Sequence, residues 1–193
     1  MRLFVLTRHG QSELNASRRI NGDPGVPVGL TPQGEAEAGG LALQVAGLEL
    51  DLCVHTSFGR SRATAKIAVD GRDVPFAVEP LLDDIDVGEL EGRTIDEYRA
   101  WKMEHTRADA FPGGESLDDA AVRYAAAYER LLARPERRIL VVCHEIPVRY
   151  AINAAAGSDE LDGPAHKIGN CIPHLFDEAG LARAAGRIRA LTR

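Results

Sequence analysis

Residues 138–149 read RILVVCHEIPVR, an apolar run that ends at a histidine and a carboxylate. The run 138–143 has the length and the branched side chains of a strand that is buried on both faces. The apolar pattern of residues 147–156 then predicts a helix. A strand followed directly by a helix is the repeating unit of a parallel sheet. Because ligands of such sheets bind at the carboxyl ends of the strands, His144 stands where a functional side chain is expected.

The histidine at position 144 is compatible with three chemistries. A zinc site of the H-E-x-x-H type fails because Val148 stands where the second histidine would be. A cysteine–histidine nucleophile pair is disfavoured, since Cys143 and His144 are adjacent on a strand and their side chains point to opposite faces. What remains is a histidine that takes part in acid–base or phosphoryl chemistry.

The rest of the chain repeats this alternation of strands and helices. Thr31 and Pro32 mark the start of one helix, as its N-cap and its first helical residue. Apolar strands separated by helices predict an α/β fold with a mostly parallel sheet that is covered on both faces. The predicted strands are residues 3–6, 50–55, 74–78, 138–143, 172–176 and 181–191, and the predicted helices are 32–46, 57–69, 95–103, 118–133 and 147–156.

Composition limits the class of protein. With 193 residues and no linker-like stretch, residues 1–193 are expected to form a single domain. A formal net charge of -6 disfavours nucleic acid and anionic membranes as partners, so an anionic ligand needs a local cluster of arginine or histidine. Neither a signal peptide nor a transmembrane helix is predicted, and we expect a cytoplasmic protein. Three widely spaced cysteines, Cys53, Cys143 and Cys171, predict buried thiols without a disulfide framework or a paired metal site.

Arginines and histidines follow the ends of three predicted strands. Arg8 and His9 come directly after the first strand, Arg60 lies just inside the helix after the second, and His144 follows 138–143. These side chains are expected to meet, because the carboxyl ends of parallel strands share one edge of the sheet. Guanidinium groups match the oxygens of a phosphate, and a neutral histidine among cations keeps a lone pair that can attack phosphorus. The set therefore indicates phosphoryl chemistry.

Seven short sequence motifs follow one another along almost the whole chain. They are LTRHGQSELN at 6–15, LTPQG at 30–34, TSFGRSRATA at 56–65, VGELEG at 87–92, PGGES at 112–116, VCH at 142–144 and Asn170. This ordered series resembles the histidine phosphatase superfamily, the phosphoglycerate-mutase-like proteins, and in particular its mutase-like branch. An R-H-G tripeptide alone would be a weak signal, whereas the ordered series is highly specific.

The resemblance implies a role for each matched residue. His9 would be the nucleophile that becomes phosphohistidine, while an acid protonates the leaving alcohol and its carboxylate then activates water. The fold would be a three-layer α/β/α sandwich that works without a metal or an organic cofactor. The other implied residues are Arg8, Arg60 and His144 around the phosphoryl group, and Ser12 and Asn15 at the pocket edge.

The proton donor is where the chain departs from the family pattern. The mutase-like branch has a glutamate in a segment resembling L-x-E-x-x-x-G, and residues 82–88 put Asp84, one methylene shorter, at that position. The acid-phosphatase branch has its acid directly after the second histidine, where this chain has Glu145. Either carboxylate could be the proton donor. Glu89 and Glu91 in the neighbouring motif are expected to be surface charges.

The reaction after the phosphoenzyme depends on whether water or a second hydroxyl accepts the phosphoryl group. Family mutases carry a longer insertion with paired arginines for a carboxylate, and the segment between Asp84 and residue 112 holds about one helix without such a pair. By this family analogy we expect a phosphomonoester hydrolase for a small phosphorylated metabolite. A mutase-type phosphotransferase and a phosphate-binding or interaction module are the alternatives. The sequence does not identify the substrate and leaves the oligomeric state open, a homodimer included.

Overall fold

The computed structural model describes residues 2–192, which fold around one five-stranded sheet. Its strands are β1 (Leu3–Arg8), β2 (Leu52–His55), β3 (Phe76–Val78), β4 (Arg138–Cys143) and β5 (His174–Asp177). The strand order is β3-β2-β4-β1-β5, and each neighbouring pair is parallel except β1 and β5. The mostly parallel sheet predicted from the sequence is thereby confirmed.

Helices cover both faces of this sheet. They are α1 (Glu13–Ala16), α2 (Pro32–Val45), α3 (Gly59–Ala68), α4 (Ile95–Glu104), α5 (Leu117–Ala133), α6 (Glu145–Ala155) and α7 (Glu178–Leu191). Side chains alternate across the strands, so Val5 and Leu140 pack with α2 and α3, whereas Phe4 and Val141 pack with α5, α6 and α7. This confirms the three-layer α/β/α sandwich. Within residues 2–192 no helix is long and apolar enough to cross a membrane.

The strand predicted at residues 181–191 is wrong, because this segment forms most of helix α7. The buried positions are instead spaced for a helix, with Leu181, Ala184 and Ile188 on one face. Asp177 starts the helix by accepting a hydrogen bond from the Gly180 amide.

Two glycines allow the chain after β1 to cross the start of α2. A Cβ on Gly10 would lie within 3.0 Å of the Gly34 carbonyl oxygen, and a Cβ on Gly34 would lie within 3.0 Å of the Gln11 carbonyl oxygen. Thr31 caps α2 as predicted, accepting a hydrogen bond from the Gly34 amide. This close crossing fixes the backbone that follows His9.

Candidate active site

The strand ends bring His9, Arg60 and His144 together in the interior. Arg8 pairs with Cys143 across β1 and β4, and the His9 amide continues this ladder to the Cys143 carbonyl at 3.0 Å. The imidazole centroids of His9 and His144 are 5.2 Å apart. The exposed fractions are 2% for His9, 3% for Arg60 and 0% for His144. Side chains from distant parts of the sequence therefore meet at the predicted edge of the sheet.

His9 is held as a neutral imidazole with one defined lone pair. Its Nδ1 lies 2.7 Å from the Gly10 carbonyl oxygen, which can only accept, so Nδ1 carries the proton. Nε2 is then free to accept, and it does so from Arg60 Nε at 2.9 Å. Burial lowers the pKa of His9 well below its ordinary value, and the nearby Arg60 and Arg8 lower it further. Asn170 donates to the His9 carbonyl at 2.6 Å and fixes its backbone.

Arg60 is oriented by a residue that the sequence did not single out. Asn21 accepts two hydrogen bonds from Arg60. Its side-chain oxygen accepts from Nη1, and its backbone carbonyl accepts from Nη2 at 3.1 Å. The Glu91 carboxylate in turn accepts hydrogen bonds from the side-chain amide of Asn21 at 2.8 Å and from the backbone amide of Gly22 at 2.6 Å. The prediction that Glu91 is a surface charge is wrong, because it is half-buried and anchors this loop. The place of Glu91 in a family motif was the sequence signal that could have predicted this role.

His144 ends a chain of hydrogen bonds that also fixes its proton. Its Nδ1 accepts from Arg60 Nη2 at 3.2 Å, so Nε2 donates to the Thr56 hydroxyl at 2.9 Å. The Thr56 hydroxyl donates onward to Ser61 at 2.6 Å, and Ser61 donates to the Phe58 carbonyl at 2.9 Å. The pKa of His144 is lowered well below its ordinary value, first by burial and then by Arg60. Two neutral imidazoles thus face the same guanidinium group.

Arg8 keeps one buried donor without a partner. Its Nη1 donates to the Ile168 carbonyl at 3.0 Å and lies 2.7 Å from a Glu145 carboxylate oxygen. No group of the described residues accepts from its buried Nε. Buried donors are normally paired, so an unpaired guanidinium N–H beside His9 is suited to an anionic ligand.

The carboxyl group of Asp84 lies against Arg60 and His144. Its Oδ2 lies 3.1 Å from Arg60 Nη2 and 3.4 Å from His144 Nδ1. Burial raises its pKa, although Arg60 opposes the shift. Its side chain is 24% exposed and borders a largely acidic cavity of about 590 Å³, which connects it to solvent. A half-buried carboxyl with a raised pKa is suited to general acid catalysis.

Arg123 holds the loop that carries Asp84 through hydrogen bonds to its backbone carbonyls. The Arg123 guanidinium donates to the carbonyls of Leu81 and Asp83 at 2.9 Å and to that of Asp84 at 3.3 Å. Glu115 binds the same guanidinium at 2.5 Å. The position of the Asp84 carboxyl is therefore fixed through its backbone.

Glu145 occupies a different part of the site. It is the first residue of α6, and it lies 2.7 Å from Arg8 Nη1 and 3.5 Å from Arg149 Nη1. Its side chain is 28% exposed, and its ion-pair partners among residues 2–192 are these two arginines. Of the two candidate donors, Asp84 is therefore the one that contacts His144.

Ser12 and Asn15 are used in a helix cap. The Ser12 hydroxyl accepts from the Asn15 amide at 3.2 Å, and the Asn15 side-chain oxygen accepts from the Ser12 amide at 3.3 Å. This reciprocal pair starts α1. Their predicted contact with substrate stays a prediction.

No group of three or more His, Cys, Asp or Glu side chains in the described part of the chain could hold a metal ion. The three cysteines, Cys53, Cys143 and Cys171, are buried and unpaired with one another. Burial raises the pKa of Cys53 and Cys171 to about 12. They are therefore poor nucleophiles.

Several known proteins resemble this chain in sequence or in fold. The sequence pattern of the histidine phosphatase superfamily (branch 1) matches residues 4–177. A protein of Photorhabdus laumondii named probable phosphoglycerate mutase GpmB is 35% identical over 169 residues, which cover 83% of this chain and 75% of that protein. Bacillus stearothermophilus YhfR superposes with a TM-score of 0.79 at 26% identity, covering 91% of this chain and 90% of its own. The alpha-ribazole phosphatase of Shigella flexneri superposes with a TM-score of 0.79 at 22% identity, covering 91% and 90%.

Proposed function

The chain belongs to the histidine phosphatase superfamily, and on this basis we propose that it hydrolyses phosphomonoesters through a phosphohistidine on His9. The observation that carries the proposal is the hydrogen bond from His9 Nδ1 to the Gly10 carbonyl at 2.7 Å. It leaves Nε2, between Arg60 and the histidine at 144, as the nitrogen with a lone pair. A neutral, fixed imidazole surrounded by guanidinium donors is what phosphoryl transfer to nitrogen requires.

In the first step His9 Nε2 forms a bond to phosphorus while the bond from phosphorus to the leaving oxygen breaks. Arg60 and the unpaired Nε of Arg8 bind the equatorial oxygens, where charge is spread in the transition state. The carboxyl group of Asp84 gives its proton to the leaving oxygen, so the product is a neutral alcohol. The enzyme then holds phosphohistidine and an ionised Asp84.

In the second step water replaces the imidazole. The Asp84 carboxylate takes one proton from water as the water oxygen attacks phosphorus, and the phosphorus–nitrogen bond breaks. Inorganic phosphate leaves, and His9 and Asp84 return to their starting protonation states. The contact of Asp84 with the cavity of about 590 Å³ supports this role, because water and the leaving alcohol both need a path to the acid.

Asp84 is the proposed donor, and Glu145 is not. A donor must reach the leaving oxygen and must hold a proton when the reaction begins. The 3.4 Å contact of Asp84 with His144 Nδ1 and its raised pKa support this role. Glu145 instead faces two guanidinium groups, which take up its oxygens.

The proposed substrate is a small phosphate ester, with Ser12 and Asn15 at the edge of its pocket, and the proposed setting is the cytoplasm. The burial of His9, whose side chain is 2% exposed, supports a compact phosphoryl ligand. The three free, buried cysteines are compatible with a reducing compartment.

Phosphoryl transfer between hydroxyl groups is the second candidate. The name phosphoglycerate mutase, carried by the Photorhabdus laumondii relative, is the observation that favours it. The two reactions separate when the enzyme is given 3-phosphoglycerate: a mutase forms 2-phosphoglycerate, whereas a phosphatase releases inorganic phosphate or does not act.

The first experiment is hydrolysis of p-nitrophenyl phosphate, a good leaving group that tests the nucleophile and the phosphate pocket. We expect turnover by the unaltered chain and none above background by His9→Ala. His105→Asn, which changes an exposed histidine, is the matched control and should keep full activity. Turnover by His9→Ala equal to that of the unaltered chain would refute the proposed nucleophile.

A further inference from the structure

Each arginine of the phosphate pocket has its own carboxylate partner. Arg60 Nη2 lies 3.1 Å from Asp84, and Arg8 Nη1 lies 2.7 Å from Glu145. Asp84 is the proposed proton donor. Glu145 has no step in the proposed reaction, although its contact with Arg8 is the shorter of the two.

Glu145 is held in place from its other side. Arg149, one turn further along α6, lies 3.5 Å from Glu145 through Nη1. Arg149 is itself fixed by Asp162 at 2.7 Å and by the His166 carbonyl at 3.2 Å. The side chains of Arg8 and Arg149 are only 16% and 12% exposed. The Glu145 carboxylate is therefore part of a fixed chain of alternating charges and does not swing freely in water.

The position of Glu145 decides which donors of Arg8 remain. Nη1 is taken by Glu145 and by the Ile168 carbonyl, and the buried Nε has no partner. A phosphoryl group bound to Nε would share the guanidinium with a carboxylate on the opposite side. The two anions would repel each other across the same cation, in an interior where solvent screens charges weakly.

We propose that Glu145 is a counter-ion of Arg8 that weakens the hold of the pocket on phosphate, so that the product can leave. This inference rests on the proposed phosphatase function and deepens it. Two guanidinium groups in a buried pocket would bind a phosphate dianion tightly, and release of product then limits turnover. A fixed carboxylate on Arg8 offsets part of that charge and leaves the buried Nε without a protein partner. Glu145 acts through Arg8 and is thus a positioning residue.

The test is the affinity of Glu145→Gln for inorganic phosphate, measured by isothermal titration calorimetry at low ionic strength. The glutamine keeps the shape and removes the charge, so phosphate should bind roughly five- to tenfold more tightly than to the unaltered chain. Product inhibition by phosphate should strengthen by a similar factor. Glu129→Gln, which breaks a pair between Glu129 and Arg189 at 2.6 Å on the surface, is the matched control and should change neither quantity.

Other roles for Glu145 predict other results. If Glu145 only stabilised the fold, its loss would loosen the pocket and phosphate would bind more weakly. If it were the proton donor, phosphate affinity would stay the same while turnover of alkyl phosphates fell. Either result overturns the proposal, as does failure of both proteins to bind phosphate.

Two further points keep the test decisive. Glu145→Ser, with a small polar side chain, should also tighten phosphate binding, and it replaces Glu145→Gln if that variant does not fold. Phosphate binding is measured without turnover. A chain that hydrolyses nothing but binds phosphate more tightly after Glu145→Gln would therefore contradict the phosphatase proposal and leave the counter-ion role intact.

Discussion

Arg60 donates its Nε–H to His9 Nε2 at 2.9 Å, so the proposed nucleophilic lone pair already faces a guanidinium group. The same guanidinium reaches His144 Nδ1 at 3.2 Å and Asp84 at 3.1 Å. A phosphoryl group that enters the pocket would insert between these partners and take over the donors of Arg60. The proposed nucleophile and the proposed acid therefore both contact the side chain of Arg60, which is proposed to stabilise the charge.

Replacing the acid should affect substrates according to their leaving groups. We expect Asp84→Asn to lower kcat for an alkyl phosphate by roughly 100- to 10,000-fold, because the leaving alkoxide then receives no proton. The loss with p-nitrophenyl phosphate should be far smaller, since nitrophenolate leaves without protonation. Steady-state kinetics on both substrates check this, with Asp73→Asn, an exposed carboxylate, as the control. Equal losses on the two substrates would speak against Asp84 as the donor.

The pH dependence of kcat/KM should report the proton on Asp84. The reaction needs Asp84 protonated and His9 neutral. The pKa of Asp84 is raised by burial and that of His9 is lowered, first by burial and then by Arg60, so both shifts widen the pH range in which Asp84 is protonated and His9 is neutral. For an alkyl phosphate kcat/KM should fall as the pH rises through the pKa of Asp84.

Comparison with a variant removes the ionisation of the substrate from this profile. Asp84→Asn should lose the descending limb that the unaltered chain shows, while any limb that belongs to the substrate stays in both. A descending limb of the same size and position in Asp84→Asn would assign it to the substrate or to another group.

The stability of the fold should depend on pH through the two buried histidines. In the folded state the pKa values of His9 and His144 lie well below the ordinary value, because burial disfavours the charged form. Unfolded histidine titrates near pH 6.5, so below that pH the unfolded chain binds protons that the folded chain does not. The free energy of unfolding should therefore fall as the pH drops from 7 to 5, by up to about 1.4 kcal/mol per pH unit for each histidine.

Urea denaturation at several pH values measures this dependence. His144→Asn removes one of the two groups, so its stability should fall less steeply with acid, whatever its stability at pH 7. The same slope in the variant and the unaltered chain would show that His144 does not titrate in the predicted sense.

The close contact between Gly34 in α2 and the chain after His9 predicts that two glycine-to-alanine substitutions in α2 have different effects on the free energy of unfolding. Gly34→Ala should lower the free energy of unfolding by at least about 2 kcal/mol, because its methyl group would overlap the Gln11 carbonyl oxygen. Gly39→Ala, in the same helix, meets no atom within 4 Å and should be neutral or stabilising by about 0.5–1 kcal/mol. Chemical denaturation of both variants checks the pair. A Gly34→Ala variant as stable as Gly39→Ala would contradict the tight crossing.

The sequence predicted that His9, Arg60 and His144 meet because these residues obey a general rule. His9, Arg60 and His144 come after β1, β2 and β4, and the carboxyl ends of these parallel strands meet at one edge of the sheet. The geometry of the sheet alone was enough to bring them together.

The surroundings of the site were less predictable for a physical reason. Asn21 reaches Arg60 from a loop without regular structure, and loops have no periodicity that a sequence could reveal. Glu91 was misjudged because burial of a carboxylate depends on which backbone amides come near it in the fold. Residues 181–191 form a helix and not the predicted strand, because helical spacing lets both Leu181 and Ile188 pack in the core.

The phosphohistidine on His9 is the central claim, and rapid-quench trapping tests it most directly. The protein is mixed with a phosphate ester, quenched with alkali within milliseconds and digested, and the peptides are mapped by mass spectrometry. We predict an acid-labile, alkali-stable phosphoryl group on His9, absent from His9→Ala and present in the His105→Asn control. Active enzyme that carries no phosphoryl group at any quench time, or carries it on another residue, would contradict the account.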